Sequence, residues 1–394
     1  MRVDFLVVCI IASMSLAGCT APVRKNAVPE ELTTQAVVPG LSDIRYRTDI
    51  DVESVLQEGI RAFEREKSYL ASRGHRGPLP PAIYLAVSGG GDNGAFSAGF
   101  LNGWSEAGDR PKFKLVTGVS TGAFIAPFAF LGEEYDDRLK RFYTTLAPSD
   151  IRKKRPLIAA LTNDALADNA PLWELIEKEV DQALLDAIAE EYKKGRLLIV
   201  GTVDLDARHS VLWNMTRIAA SSDPKALHLF RSIMIASAAI PGHFPPVMID
   251  VEAGGREYQE MHVDGGTASQ VFVYPLSLKI KDLSLKNRVV RERRVYIIRN
   301  ARLDPDWAEV DRKTLTIAER AITTLIQTQG IGDIYRIYLA SQRDDVDFNL
   351  AYIPKSFDAS HTEEFDTDYM RALYDTGYEL AANNYPWKKI PPSF

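Results

Sequence analysis

The chain has 394 residues, 46% hydrophobic and 25% charged, an ordinary globular composition that excludes global disorder and is long enough for one large α/β domain or two smaller ones. A formal net charge of -6 excludes the basic surface with which nucleic-acid binders neutralise phosphates. Partners are therefore expected to be neutral, apolar or small.

The chain opens with Arg2 and Asp4 and then an apolar run from Phe5 to Leu16, too short to span a bilayer comfortably. This reads as an export signal over residues 1–18. It ends in Leu16-Ala17-Gly18-Cys19, which resembles the lipobox of bacterial lipoproteins and makes Cys19 the expected acylated first residue of the mature chain. The expected location is the bacterial cell envelope, lipid-anchored, and Thr20 in place of aspartate after the cysteine resembles the sorting pattern for the outer membrane. Cys9 and Cys19 are the only cysteines, so the mature domain offers neither a disulfide framework nor a thiolate metal site. More than one acyl chain would anchor stably, since each buried methylene adds about 0.8 kcal/mol.

Residues 19–49 are rich in Pro, Thr and charge without periodicity and read as a flexible tether, leaving 50–394 as the folded domain. Val55, Leu56, Ile60, Phe63 and Leu70 give a helical stripe between Val52 and Ala71 that stops at Gly74, Gly77 and Pro78. Ile83 to Ser88 is an apolar run of strand length, followed by a glycine loop and a predicted helix from Ala95 to Ala107. Phe113 to Val119 repeats the strand signal, with Ser120 at the turn and a helix over Thr121 to Leu131. A single helical stripe covers Pro171 to Lys194, Leu197 to Asp204 is another buried strand, and a further strand ends at His262-Val263-Asp264. Val295 to Arg299 reads as a strand, and residues 300–394 as mainly helical with a strand near Val346 to Tyr352. Strands alternating with helices imply an α/β fold with a mostly parallel sheet. Arg152-Lys153-Lys154-Arg155 reads as a solvated turn or a headgroup contact, and Leu157 to Leu172 as ordinary packing or a flap over a site.

Gly118-Val119-Ser120-Thr121-Gly122 has the nucleophile-elbow pattern between a strand and a helix, in which flanking glycines allow a sharp turn that exposes the serine hydroxyl. There the Thr121 amide and the positive end of the helix dipole face any charge developing beside Ser120. Gly89-Gly90-Gly91-Asp92-Asn93-Gly94 follows a strand in the same way and would let backbone amides converge on one oxygen. It lacks the Gly-Lys-Ser/Thr of a P-loop and the spacing of a dinucleotide fingerprint. Among the histidines His75, His209, His228, His243, His262 and His361, none sits in an evident catalytic motif. Asp264, ahead of Gly265 and Gly266, is a candidate base whose proton affinity burial would raise.

In order along the chain, these three segments resemble the patatin-like phospholipase family, with its glycine-rich oxyanion loop, G-x-S-x-G serine and D-G-G/A aspartate. Ala236 to Pro241 with Phe244-Pro245-Pro246 also resembles the family's stretch before that aspartate. The resemblance covers a motif core of residues 83–268 and implies a three-layer α/β fold with a central, mostly parallel sheet flanked by helices. It implies a Ser-Asp dyad of Ser120 and Asp264, an oxyanion hole from Gly89, Gly90, Gly91, Gly94 and Thr121, no cofactor, no metal, and a lipid or phospholipid ester as substrate. Asn93 stands where the family usually has Arg or Lys, and Ser88 where aspartate is common. That departure bears on phosphate recognition more than on acyl hydrolysis. Two other readings stay open: an α/β-hydrolase with a Ser120-Asp264-His361 triad, and a non-catalytic lipoprotein scaffold.

Overall fold

A computed structural model describes residues 24–155 and 163–392. The signal at 1–18, Cys19 and the first part of the Leu157–Leu172 segment lie outside the described residues. The strands that build the main sheet are β1 (Arg45–Arg47), β2 (Ala82–Val87), β3 (Leu115–Val119), β4 (Leu197–Asp204), β5 (His209–Asn214), β6 (Val247–Ala253), β7 (Arg256–Asp264), β8 (Arg293–Arg299) and β9 (Asp347–Tyr352). The main helices are α1 (Val52–Ser72), α2 (Gly94–Glu106), α3 (Thr121–Leu131), α4 (Asp136–Thr144), α5 (Ala170–Glu179), α6 (Gln182–Lys193), α7 (Ala226–Ser237), α8 (Thr314–Asp344) and α9 (Thr367–Ala382).

The sheet order is β1-β5-β4-β3-β2-β8-β9, with β7 paired to β4 and β6 to β7. Strands β4, β3, β2, β8 and β9 run parallel, as the alternation of strands and helices implies. Pairings through β1, β5, β6 and β7 are antiparallel, so the sheet is mixed. The central strands read as continuous apolar runs because both faces are covered. Leu85 and Val87 turn into the core that contains Phe96, Phe100 and Phe124 of α2 and α3. Ala86, with Val295 and Ile297, turns to the opposite face, against Ile334 and Ile337 of α8. Helix α3 is buried along nearly its whole length, which is why it is apolar on every side.

Two expectations are corrected. The stripe from Pro171 to Lys194 is two helices, because Asp181 accepts the Leu184 amide at 2.8 Å and starts α6 as its N-cap. The tether is also wrong for residues 24–49, which pack on the sheet. Strand β1 extends the sheet beyond β5, Val37 bridges to Glu252, and Leu41, Ile44 and Tyr46 are buried. The buried apolar residues Ala36, Leu41, Ile44 and Tyr46 are unevenly spaced, so no period announces them.

The same segment carries a buried ion pair. Arg45 reaches Glu260 of β7 with both terminal nitrogens, and His262 Nε2 lies 3.1 Å from the same carboxylate. Burial alone would raise the Glu260 pKa, but hydrogen bonding to His262 and the Arg45 charge pull it down to about 2. A carboxylate whose folded pKa is depressed contributes stability above its unfolded pKa of 4.5 and loses it as the pH falls toward 2. Arg45→Ala leaves that buried charge without its main partner. It should cost about 3 kcal/mol of unfolding free energy at neutral pH in a urea titration, with the deficit shrinking on acidification through this window.

Candidate active site

Strand β3 hands directly into α3 at Ser120, whose φ of 55° and ψ of -125° place it in the left-handed half of backbone space. For a residue with a side chain this costs on the order of 1–3 kcal/mol and persists only where surrounding contacts enforce it. Here the contacts are explicit. A β-carbon on Gly118 would stand 2.3 Å from the Gly122 carbonyl oxygen, and one on Gly122 would stand 2.3 Å from that of Val87, so only glycines allow α3 to cross β2 and β3 this closely. The Ser120 amide donates to Ser237 Oγ at 3.0 Å, and Ser237 Oγ donates to the Gly201 carbonyl at 2.7 Å. The turn is pinned from the strand beside it.

Asp264 ends β7, which pairs antiparallel with β4 so that Asp264 faces Thr202. Because Val119 pairs with Gly201 in the same sheet, the carboxylate arrives one strand away from Ser120. Its Oδ1 accepts the Gly266 amide at 2.6 Å, and the Ser120 hydroxyl is near enough to act on its pKa. Both side chains are almost completely buried. Burial pushes the Asp264 carboxyl up to about 7, against the lowering effect of the Ser120 hydroxyl and the Gly266 amide.

The glycine loop leaves β2 beside Ser120. Of its amides, that of Gly89 donates to the Gln270 carbonyl at 3.1 Å, and that of Gly94 closes the loop's 3₁₀ turn onto Gly91 and Asp92. The amides of Gly90 and Gly91 have no partner among the described residues. Gly90 has φ 155° and lies against Asn300, where a β-carbon would meet the carbonyl oxygen at 2.3 Å. The Thr121 amide begins α3, and its hydroxyl bonds to that of the buried Tyr143, whose pKa burial raises. Gly91, Ser120 and Thr121 open on a cavity of about 50 Å³ with an apolar wall that includes Phe124, Phe142, Leu146, Ile240 and Phe244.

Ser120, Asp264, Gly90, Gly91 and Thr121 thus lie close together, whereas the expectation for Gly89 and Gly94 is corrected, since their amides are engaged by the Gln270 carbonyl and within the loop's own turn, and His361 is held elsewhere. Its Nε2 lies 2.7 Å from Asp92 Oδ2, and the ring is partly exposed. The sequence reading missed several supports. Ser88 Oγ donates to the Gly89 carbonyl at 2.7 Å and accepts the Asn300 amide at 2.8 Å, so the serine in place of aspartate holds the loop's first peptide. Gln270 Nε2 donates to the Gly266 carbonyl at 2.8 Å, linking the aspartate's turn to the glycine loop. Ser237 lay within a recognisable stretch, but nothing local to Gln270 or Asn300 signals their contacts. Among the described residues no group of His, Cys, Asp and Glu forms a metal-binding cluster, and no helix is long and apolar enough to cross a membrane.

No curated protein matches this chain. Among solved structures it is similar to VipD from Legionella pneumophila, at 13% identity and a TM-score of 0.36, covering 77% of this chain and 67% of that one. It is also similar to the type III effector protein ExoU, at 14% identity and a TM-score of 0.35, covering 78% of this chain but only 54% of that one, about half its length. Residues 85–277, which hold the glycine loop, the Ser120 elbow and the Asp264 turn, match the model of the patatin-like phospholipase family.

Proposed function

We propose that this chain is a lipid acyl hydrolase in which Ser120 is the nucleophile and Asp264 its base. The observation that carries the reading is the buried Asp264 carboxylate beside the strained elbow serine, whose hydroxyl acts on its pKa. A serine hydroxyl needs a base, and a carboxylate with a pKa near 7 is far better matched to that proton than one at the ordinary value. Ser120 Oγ attacks the acyl carbonyl carbon while its proton passes to Asp264. The tetrahedral oxyanion is bound by the amides of Gly90, Gly91 and Thr121 at the positive end of α3, each worth roughly 2.7–4 kcal/mol in such a hole. Collapse breaks the ester bond, and the alcohol leaves with the proton from Asp264. Water then attacks the acyl-enzyme while its proton goes to the same carboxylate, and collapse breaks the bond to Ser120 Oγ, which takes the proton back from Asp264 as the free fatty acid departs.

The apolar wall of the cavity favours an acyl chain, and no cofactor enters the scheme. The triad reading is disfavoured by the bond between His361 and Asp92. We read residues 1–18 as a lipoprotein signal and Cys19 as its acylated residue, placing the enzyme at the outer membrane beside its substrate.

Ser120→Ala and Asp264→Asn should each lower ester turnover by about ten-thousand-fold or more in the purified protein, whereas His361→Ala should stay within about tenfold of wild type. A collapse of turnover in His361→Ala would favour the triad, and failure of a fluorophosphonate probe to label Ser120 would favour the scaffold. Because Asp264 works deprotonated, kcat/KM should rise with pH through an apparent pKa near 7.

The same shift has a consequence for stability. A carboxyl whose folded pKa is raised penalises folding progressively as the pH climbs from its unfolded value of 3.8 to about 7. Asp264→Asn should therefore gain stability relative to wild type as the pH rises from 3.8 to about 7, by up to ~1.4 kcal/mol per pH unit within that window, and hold that gain above it, as read from urea unfolding. For the anchor, metabolic labelling with an alkyne fatty acid should mark the wild-type chain and leave Cys19→Ala unmarked.

A further inference from the structure

One wall of the cavity beside Ser120 comes from beyond the region that matches the family. Phe365 and Met370 line it, whereas the match ends at residue 277. The segment that carries them is fastened to the glycine loop itself. Asp92 Oδ2 accepts the Phe365 amide at 2.8 Å and lies 2.7 Å from His361 Nε2, and Tyr369 donates its hydroxyl to Asn93 Oδ1 at 2.6 Å. Glu364, between them, pairs with Arg152 and with His243. Phe365 has φ 65°, a conformation that a bulky side chain rarely adopts unless neighbouring contacts impose it. These bonds impose it and hold the ring against the cavity.

The space left is small. At about 10–15 Å³ for each water-sized group, a cavity of about 50 Å³ takes roughly three to five such groups. We propose that Phe365 is a specificity-determining residue that restricts the acyl group to a short chain, and that Asp92 and Asn93 serve as its latch. This rests on Ser120 being the nucleophile.

The test is kcat/KM for p-nitrophenyl butyrate and p-nitrophenyl decanoate in wild type, Phe365→Gly, Phe365→Trp and Ser120→Ala. Wild type should favour butyrate. Phe365→Gly removes the ring and suits the positive φ, so it should fold, and it should raise the decanoate-to-butyrate ratio by tenfold or more, since each additional buried methylene contributes about a fourfold factor. Phe365→Trp fills the space further and should lower the ratio. A ratio within about twofold of wild type in either folded variant, or a wild-type preference for decanoate, would overturn the inference. Absence of Ser120-dependent turnover of both esters would overturn the nucleophile assignment and this inference together, whereas an unchanged ratio with intact Ser120-dependent turnover overturns only the role of Phe365.

Discussion

The close crossing of α3 over β2 and β3 is the constraint on which the site depends. It forces the chain at Ser120 through a positive φ and makes glycine obligatory on either side. A turn of this kind cannot hold itself, and the fold supplies the restraint from a distance. Ser237, at the end of α7, takes the Ser120 amide and passes the interaction to Gly201 of β4. The serine is thus presented by a rigid junction of sheet and helix rather than by a loop, so its hydroxyl direction is set before any substrate arrives.

Strand β7 shows how one element prepares two carboxylates for opposite states. Glu260 and Asp264 are both buried in it, and desolvation acts on both in the same direction. Glu260 meets Arg45 and His262, and their charge and hydrogen bonds overcome burial, holding its pKa near 2. Asp264 meets only a hydroxyl and one amide among its lowering influences, so burial prevails and the pKa climbs to about 7. The difference lies in the supply of cations, not in depth. An ion pair fixes the strand in place, and four residues further on the same strand delivers a proton-accepting group that no cation has neutralised.

What the sequence disclosed follows from the range of the interactions involved. The glycine loop, the elbow and the Asp264 turn are local motifs whose residue types are dictated by backbone geometry within a few positions, so they were legible. So were the parallel strands, whose apolar runs report burial on both faces. The antiparallel pairings of β5, β6 and β7 carry no such signature, and they are what bring Asp264 beside Ser120. Ser237, Gln270 and Asn300 act across separations of more than a hundred residues or from outside any motif, so no local pattern could identify their partners. The packed segment from residue 24 to 49 escaped for a different reason: it adheres through isolated side chains, scattered ion pairs and a three-residue strand, which leave no period.

The departures of the glycine loop acquire a physical sense from these contacts. In place of a cation, Asn93 presents a neutral oxygen that Tyr369 occupies, and Asp92 spends its carboxylate on the backbone of Phe365 and the ring of His361. Both side chains face the C-terminal segment, so the loop offers the pocket backbone amides and no side-chain charge. In the proposed mechanism, stabilisation of the oxyanion then falls to those amides and to the end of α3, whose dipole is buried with the helix and therefore weakly screened. The same arrangement ties the position of the loop to that of Phe365. In the proposed mechanism, a displacement of the wall facing the acyl chain would pull on the backbone facing the oxyanion, which would make substrate fit and transition-state stabilisation parts of one mechanical unit.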